Sequence, residues 1–109
     1  MAMIADAARR HVTLEKVRQM VLDALAGVDA QAYLFGSQAR GDVWTLSDID
    51  VAIDHAEPLP VGLLARLREA LEESTIPVRV DVVDLAEVDE EFRANVLAEG
   101  KRWTASAKG

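Results

Sequence analysis

Two aspartates two residues apart, Asp48 and Asp50, stand in an apolar run that closes on Asp54, and a Gly36-Ser37 pair closes an earlier one. Residues two apart on a strand project from the same face. The two carboxylates therefore sit side by side and repel each other unless a cation lies between them. Mg²⁺ suits such a pair, because it takes oxygen ligands and brings substrate phosphates as further ligands. A third acid, Asp81, lies in a later apolar run, Arg79-Val80-Asp81-Val82-Val83. If its strand lies beside the first, at the usual separation of roughly 4.8 Å, three carboxylates converge. Three acids on two strands can hold two metal ions, one over a triphosphate and one at an attacking hydroxyl, which is the arrangement for in-line displacement at phosphorus.

The Gly-Ser pair fits the same chemistry. Gly36 lets backbone approach a phosphate closely, and Ser37 adds a hydroxyl and an amide at the start of a short helix. Arg40 can reach back as a cation or hold the loop by hydrogen bonds. Gly36 and Gly41 have P-loop spacing, but Asp42-Val43 stands where Lys-Ser/Thr is required, so that reading fails. Each feature alone has a plainer use. Exposed aspartates solubilise or protect a sheet edge, and Asp54 and Asp84 are given that role as strand-end residues. His11 and His55 read as surface residues, and Trp44 reads as core rather than as a base platform. Arg79, on the face of Asp81, either neutralises the acids or contacts phosphate.

These residues need a scaffold, and 109 residues allow one domain. Half the residues are hydrophobic, and there is no Cys, which excludes disulfides and thiolate metal sites. No apolar run approaches the roughly 20 residues of a membrane span. Residues 1–11 lack a signal-peptide layout, so a cytoplasmic protein without a membrane partner is expected. The net charge is −7, from 19 acidic and 12 basic residues, with no basic stripe. Proteins that track nucleic acid neutralise phosphates with a basic face, so nucleic acid is not expected as the main partner.

Leu14, Val17, Val21 and Leu25 recur at helical spacing, with Thr13 as N-cap and Gly27 as stop, and predict a helix over 13–26. Residues 31–35 read as a strand and 36–47 as a turn and polar loop. Residues 47–54 are the clearest strand, with Ile49, Val51 and Ile53 alternating with Asp48, Asp50, Ala52 and Asp54. A helix over 60–73, opened by Pro60, carries Leu63, Leu64, Leu67 and Leu71 on one stripe. Residues 76–83 read as a third strand, and 89–99 as a last helix with Val88, Phe92 and Val96 on its buried face. Gly100 stops that helix, and 101–109 reads as a frayed tail from which Trp103 can pack back. The domain is taken as 13–103, with 1–12 an extension and 104–109 a flexible tail. Three strands with one apolar face, and helices packed on that face, make a two-layer α+β domain whose acid face is open.

The constellation as a whole is specific. Gly36-Ser37-Gln38-Ala39-Arg40-Gly41 followed by Ser47-Asp48-Ile49-Asp50 resembles the signature of the DNA-polymerase-β-like nucleotidyltransferase superfamily, most closely its small stand-alone members, the minimal nucleotidyltransferases. Asp81 sits where that family carries its third carboxylate, and the ending Leu97-Ala98-Glu99-Gly100 also resembles the family's. The resemblance implies an αβαβαβ-like two-layer fold, with a small mixed three-stranded sheet in the order 1-2-3 and helices on one face. It implies transfer of a nucleoside monophosphate, AMP from ATP, with pyrophosphate released and two Mg²⁺ ions as cofactor. By motif position Gly36, Ser37, Arg40 and Ser47 would bind the nucleotide and Asp48 and Asp50 the metal. Asp81 would complete the metal site and help activate the acceptor hydroxyl. Small members of the family are frequently antitoxins that adenylylate an all-helical HEPN-domain ribonuclease toxin, which makes a HEPN-type toxin the expected acceptor and partner. No second domain is seen to grip another kind of acceptor, which points the same way. Two rival readings stay open: an antitoxin that neutralises by docking alone, and a regulatory module that binds Mg-ATP without turnover.

Overall fold

The computed structural model describes residues 2–36, 39 and 48–103. Among these the chain forms helix α1 (Ala2–Ala24), strands β1 (Ala30–Phe35) and β2 (Ile49–His55), helix α2 (Leu63–Glu73), strand β3 (Val80–Asp84), helix α3 (Glu90–Glu99) and strand β4 (Lys101–Trp103). The strands form one mixed sheet in the order β3-β2-β1-β4. β1 runs antiparallel to β2 and β4, whereas β2 and β3 are parallel. A parallel neighbour needs a crossover, and α2 supplies it.

Alternation along the strands builds the main core. Ala32, Leu34, Ile49, Val51, Ile53 and Val82 share one face of the sheet and pack against Val17, Val21 and Leu25 from the α1 side and Leu63, Leu67 and Leu71 of α2. Ile49, Val51, Ile53, Val17 and Val21 are fully buried. Each such side chain contributes roughly 1.5–3 kcal/mol relative to exposure. The aliphatic periodicity of α1 and α2 therefore marks the faces that hold the sheet from beneath.

The structure corrects the expected layering. A second core cluster joins Ala52, Leu85 and Val96, with Tyr33, Phe35, Val88 and Leu97 packed on it. α3 thus covers part of the acid-bearing face, and the helices are not confined to one side. The cause lies in β1, where Tyr33 and Phe35 present apolar surface on the face opposite Ala32 and Leu34, so both faces need cover. The sheet also has four strands rather than three. The expected neighbours β1, β2 and β3 are found, but Lys101–Trp103 pairs with the outer edge of β1 instead of fraying, with Trp103 opposite Ala32 and packed on the core.

Element boundaries differ for local reasons. α1 starts at Ala2, so Thr13 lies within it, buried, and is not its cap. The Ala-rich segment before it holds no Gly or Pro, and Ala is the strongest helix former. α2 starts at Leu63, after a turn in which the Leu63 N–H bonds to the Pro60 carbonyl at 3.1 Å. β3 starts at Val80, because Pro77 lacks the N–H a strand interior needs. α3 has Asp89 as N-cap, whose Oδ1 accepts from the Phe92 N–H at 2.7 Å. Of its expected buried face only Val96 is buried, and Phe92 stays 39% exposed. No helix of the described residues is long and apolar enough to cross a membrane.

His55, read from sequence as a surface residue, is a structural pair member with 8% of its side chain exposed. Its Nε2 lies 2.7 Å from Asp84 Oδ1 and its Nδ1 lies 2.7 Å from the Glu57 carbonyl. Acceptors face both ring nitrogens, which only the doubly protonated imidazolium satisfies. Burial lowers the His55 pKa, but the Glu57 carbonyl, the hydrogen bond and charge of Asp84 and the charge of Asp54 outweigh it, and the net shift is upward. Because the folded pKa lies above the unfolded one, this stabilisation is complete below about pH 6.5 and is lost as pH rises through the folded value. His55→Ala is expected to cost about 1–3 kcal/mol at pH 6 and less at pH 9. Urea unfolding of both chains at the two pH values measures it, and an equal cost at both would refute the charged pair. Asp54 is engaged too, accepting from Arg93 Nη2 at 3.1 Å, so neither strand-end acid is merely solubilising.

Candidate active site

Asp50 stands at the centre of a row across the sheet. Phe35 is its antiparallel partner on β1 and Asp81 its parallel partner on β3. Residues directly opposite on neighbouring strands share a face, so the parallel register of β2 and β3, the adjacency on which the third carboxylate depended, brings Asp50 and Asp81 together. Asp48 precedes β2 by one residue, is exposed, and lies near enough to act on Asp50 by its charge.

Gly36 follows Phe35 at the end of β1, with φ 77°. That left-handed conformation is open to Gly at no steric cost. A Cβ at this position would lie 2.7 Å from Asp50 Oδ2, so the carboxylate and the turn backbone are in direct apposition. The Ala39 N–H bonds to the Gly36 carbonyl at 3.1 Å. Ser37, Arg40 and Ser47, assigned to the nucleotide by motif position, lie outside the described residues, as does Trp44.

The electrostatics of the row are unbalanced. Burial raises the Asp50 pKa, and the negative charges of Asp81 and Asp48 raise it further. Arg79 donates from Nε to Asp81 Oδ1 at 3.0 Å, but the two side chains are 75% and 41% exposed, and such a pair contributes little. Arg79 therefore pairs with Asp81 rather than with the half-buried Asp50. Among the described residues no group of three or more His, Cys, Asp or Glu side chains is arranged to hold a metal ion. The donors nevertheless fit a hard divalent cation. They are carboxylate oxygens, one of them burdened by burial and two like charges, and Mg²⁺ characteristically uses one or two carboxylates together with substrate phosphates.

Three side chains of α3, Phe92, Asn95 and Glu99, line one hollow with Phe35 and Gly36. No motif marks them, and the helical pattern placed Phe92 in the core. Only the cover that α3 gives the acid face, itself foreshadowed by the apolar Tyr33 and Phe35, brings them here.

The family model described as polymerase beta, nucleotidyltransferase, matches residues 27–106. Over 65 residues the chain is 43% identical to the probable protein adenylyltransferase MntA of Haemophilus influenzae, a match covering 60% of this chain and 57% of that relative. The chain thus spans less than two thirds of the relative's length. It resembles a solved structure assigned as a minimal nucleotidyltransferase, with TM-score 0.63 and 36% identity over 81% of this chain and 90% of that one. It also resembles a crystal structure of a toxin–antitoxin with AMP-PNP, with TM-score 0.62 and 26% identity over 84% of this chain and 75% of that one.

Proposed function

From the premise that the chain belongs to the polymerase-β nucleotidyltransferase family, we propose that it transfers AMP from Mg-ATP to a hydroxyl of a partner protein, acting as the enzymatic antitoxin of a HEPN-type toxin. The observation that carries this reading is the row of Gly36, Asp50 and Asp81 at one end of the sheet. The identity to a protein adenylyltransferase and the likeness to a toxin–antitoxin structure support the choice of donor and partner.

Each residue of the row has a task. Gly36, lacking a side chain, lets the triphosphate approach the backbone beside Asp50. Asp48, Asp50 and Asp81 are the donors for divalent cations, which would neutralise the phosphate oxygens and lower the acidity barrier of the acceptor hydroxyl. The acceptor oxygen forms a bond to the α-phosphorus as the bond from that phosphorus to the bridging oxygen breaks, and pyrophosphate leaves with the electron pair. The hydroxyl proton passes to Asp81, whose Oδ2 lies outside the bond to Arg79. Ser37, Arg40 and Ser47 are assigned to the phosphates from the motif.

Intact-mass spectrometry of the partner, after incubation with this protein, Mg²⁺ and each nucleoside triphosphate in turn, tests the proposal. The expected result is a gain of one adenylyl group with ATP, absent with the Asp48→Asn chain. A stable complex without mass gain from any triphosphate would replace it with neutralisation by docking.

A further inference from the structure

A hollow of about 210 Å³ opens where β1 ends, lined by Phe35, Gly36, Phe92, Asn95, Val96 and Glu99. It begins at the glycine assigned to the phosphates, and its Phe35 wall is the direct cross-strand neighbour of Asp50. The α3 wall is one stripe, since Phe92, Asn95, Val96 and Glu99 follow the helical i, i+3, i+4, i+7 spacing. Val96 is spent on the core, whereas Phe92 keeps 39% of its surface exposed. Its ring is fixed edge-on against Phe35, with centroids 5.7 Å apart and planes at 84°. A half-exposed aromatic ring is thus held in a set orientation beside the carboxylate row.

We propose that this hollow is the nucleoside subsite of the donor, in which the base stacks on Phe92 and Asn95 reads its edge in favour of adenine. The inference rests on the nucleotidyl-transfer reading and adds to it the residues that choose the base. Position supports it, because the cavity starts at Gly36 and its α3 wall runs roughly 10 Å at 1.5 Å per residue, enough for a nucleoside extending from bound phosphates. Chemistry supports it as well. An aromatic face stacks any base, so Phe92 supplies affinity without selection. The Asn95 amide offers a donor and an acceptor together, the complement of the adenine amine and its neighbouring ring nitrogen. On the N7 edge guanine presents two acceptors, O6 and N7, where adenine presents its amine and N7, so guanine leaves the amide oxygen without a donor there. Charge argues against a phosphate in this hollow, since Glu99 lines it and no Lys or Arg does among the described residues.

Calorimetric titration of the full chain in Mg²⁺ with ATP, GTP and inorganic tripolyphosphate tests the assignment without an acceptor. Phe92→Ala is expected to weaken ATP by about tenfold or more, the size of a lost stacking contact, while tripolyphosphate binds as in the wild type. Phe92→Tyr is expected to restore ATP, and Asn95→Ala to bring the affinities for ATP and GTP together. ATP binding unchanged within about twofold in Phe92→Ala, with tripolyphosphate still bound, would overturn the subsite and leave the transfer reading standing. Equal loss of ATP and tripolyphosphate in that variant would mark a structural role and overturn it too. A wild-type chain that binds neither ligand would overturn both readings.

Discussion

Nucleotidyl transfer is expected to fall by at least roughly 10²–10³-fold in the Asp48→Asn/Asp50→Asn chain, the scale of removing groups that stabilise developing charge, while the fold gains stability. The two effects share one cause. Asp50 is burdened by burial and by the charges of Asp81 and Asp48, so its folded pKa is raised. Between the unfolded and folded values the native state holds more protons, and stability declines as pH rises through that window. Above it, ionised Asp50 costs stability in full. The amide keeps the shape and removes the charge, which is expected to raise the melting temperature in metal-free buffer at pH 7 by on the order of a few degrees. Mg-ATP is expected to stabilise the wild type and not the variant, since ligand binding to the native state alone raises apparent stability. Thermal unfolding with and without Mg-ATP, beside a transfer assay with α-labelled ATP, measures all three. An active double variant would remove the carboxylates from the reaction, and a destabilised one would show that they serve the fold.

The site was legible where chemistry and period coincide. The alternation of Ile49, Val51 and Ile53 with acids fixes which face Asp50 takes, and the same logic places Asp81. Their union still required the parallel register Asp50 to Asp81, which the sequence supports only through resemblance. β4 was not legible, because Lys101-Arg102-Trp103 is too short to show a period, and its pairing depends on the free edge of β1. The side taken by α3 has a trace in the sequence of β1. Tyr33, Leu34 and Phe35 are apolar on both faces, and a strand with two apolar faces needs cover on both. His55 and Asp84 are 29 residues apart, and only adjacent strand ends bring them together. Local pattern therefore reads which face a residue takes, whereas partners across strands follow from register.

Gly36→Ala is expected to lower transfer by about 10²-fold, the scale of a misplacement near 1 Å, and Gly27 provides the control that identifies the cause. Both glycines have φ 77°. An alanine at either position bears the same left-handed strain, roughly 1–2 kcal/mol. Their surroundings differ: a Cβ at Gly27 meets nothing within 4 Å, whereas one at Gly36 comes within 2.7 Å of Asp50 Oδ2. Real Cβ contacts do not tolerate that approach, so either the turn backbone or the Asp50 carboxylate must move. Each movement separates the turn backbone, proposed to hold the phosphates, from the carboxylate row. Gly27→Ala is therefore expected to lower stability with transfer unchanged, and Gly36→Ala to lower both. Urea unfolding and transfer rates for the two chains distinguish the terms. If the two variants lose activity alike, backbone strain is the cause. If only Gly36→Ala loses it, the apposition of turn and carboxylate is what the reaction depends on.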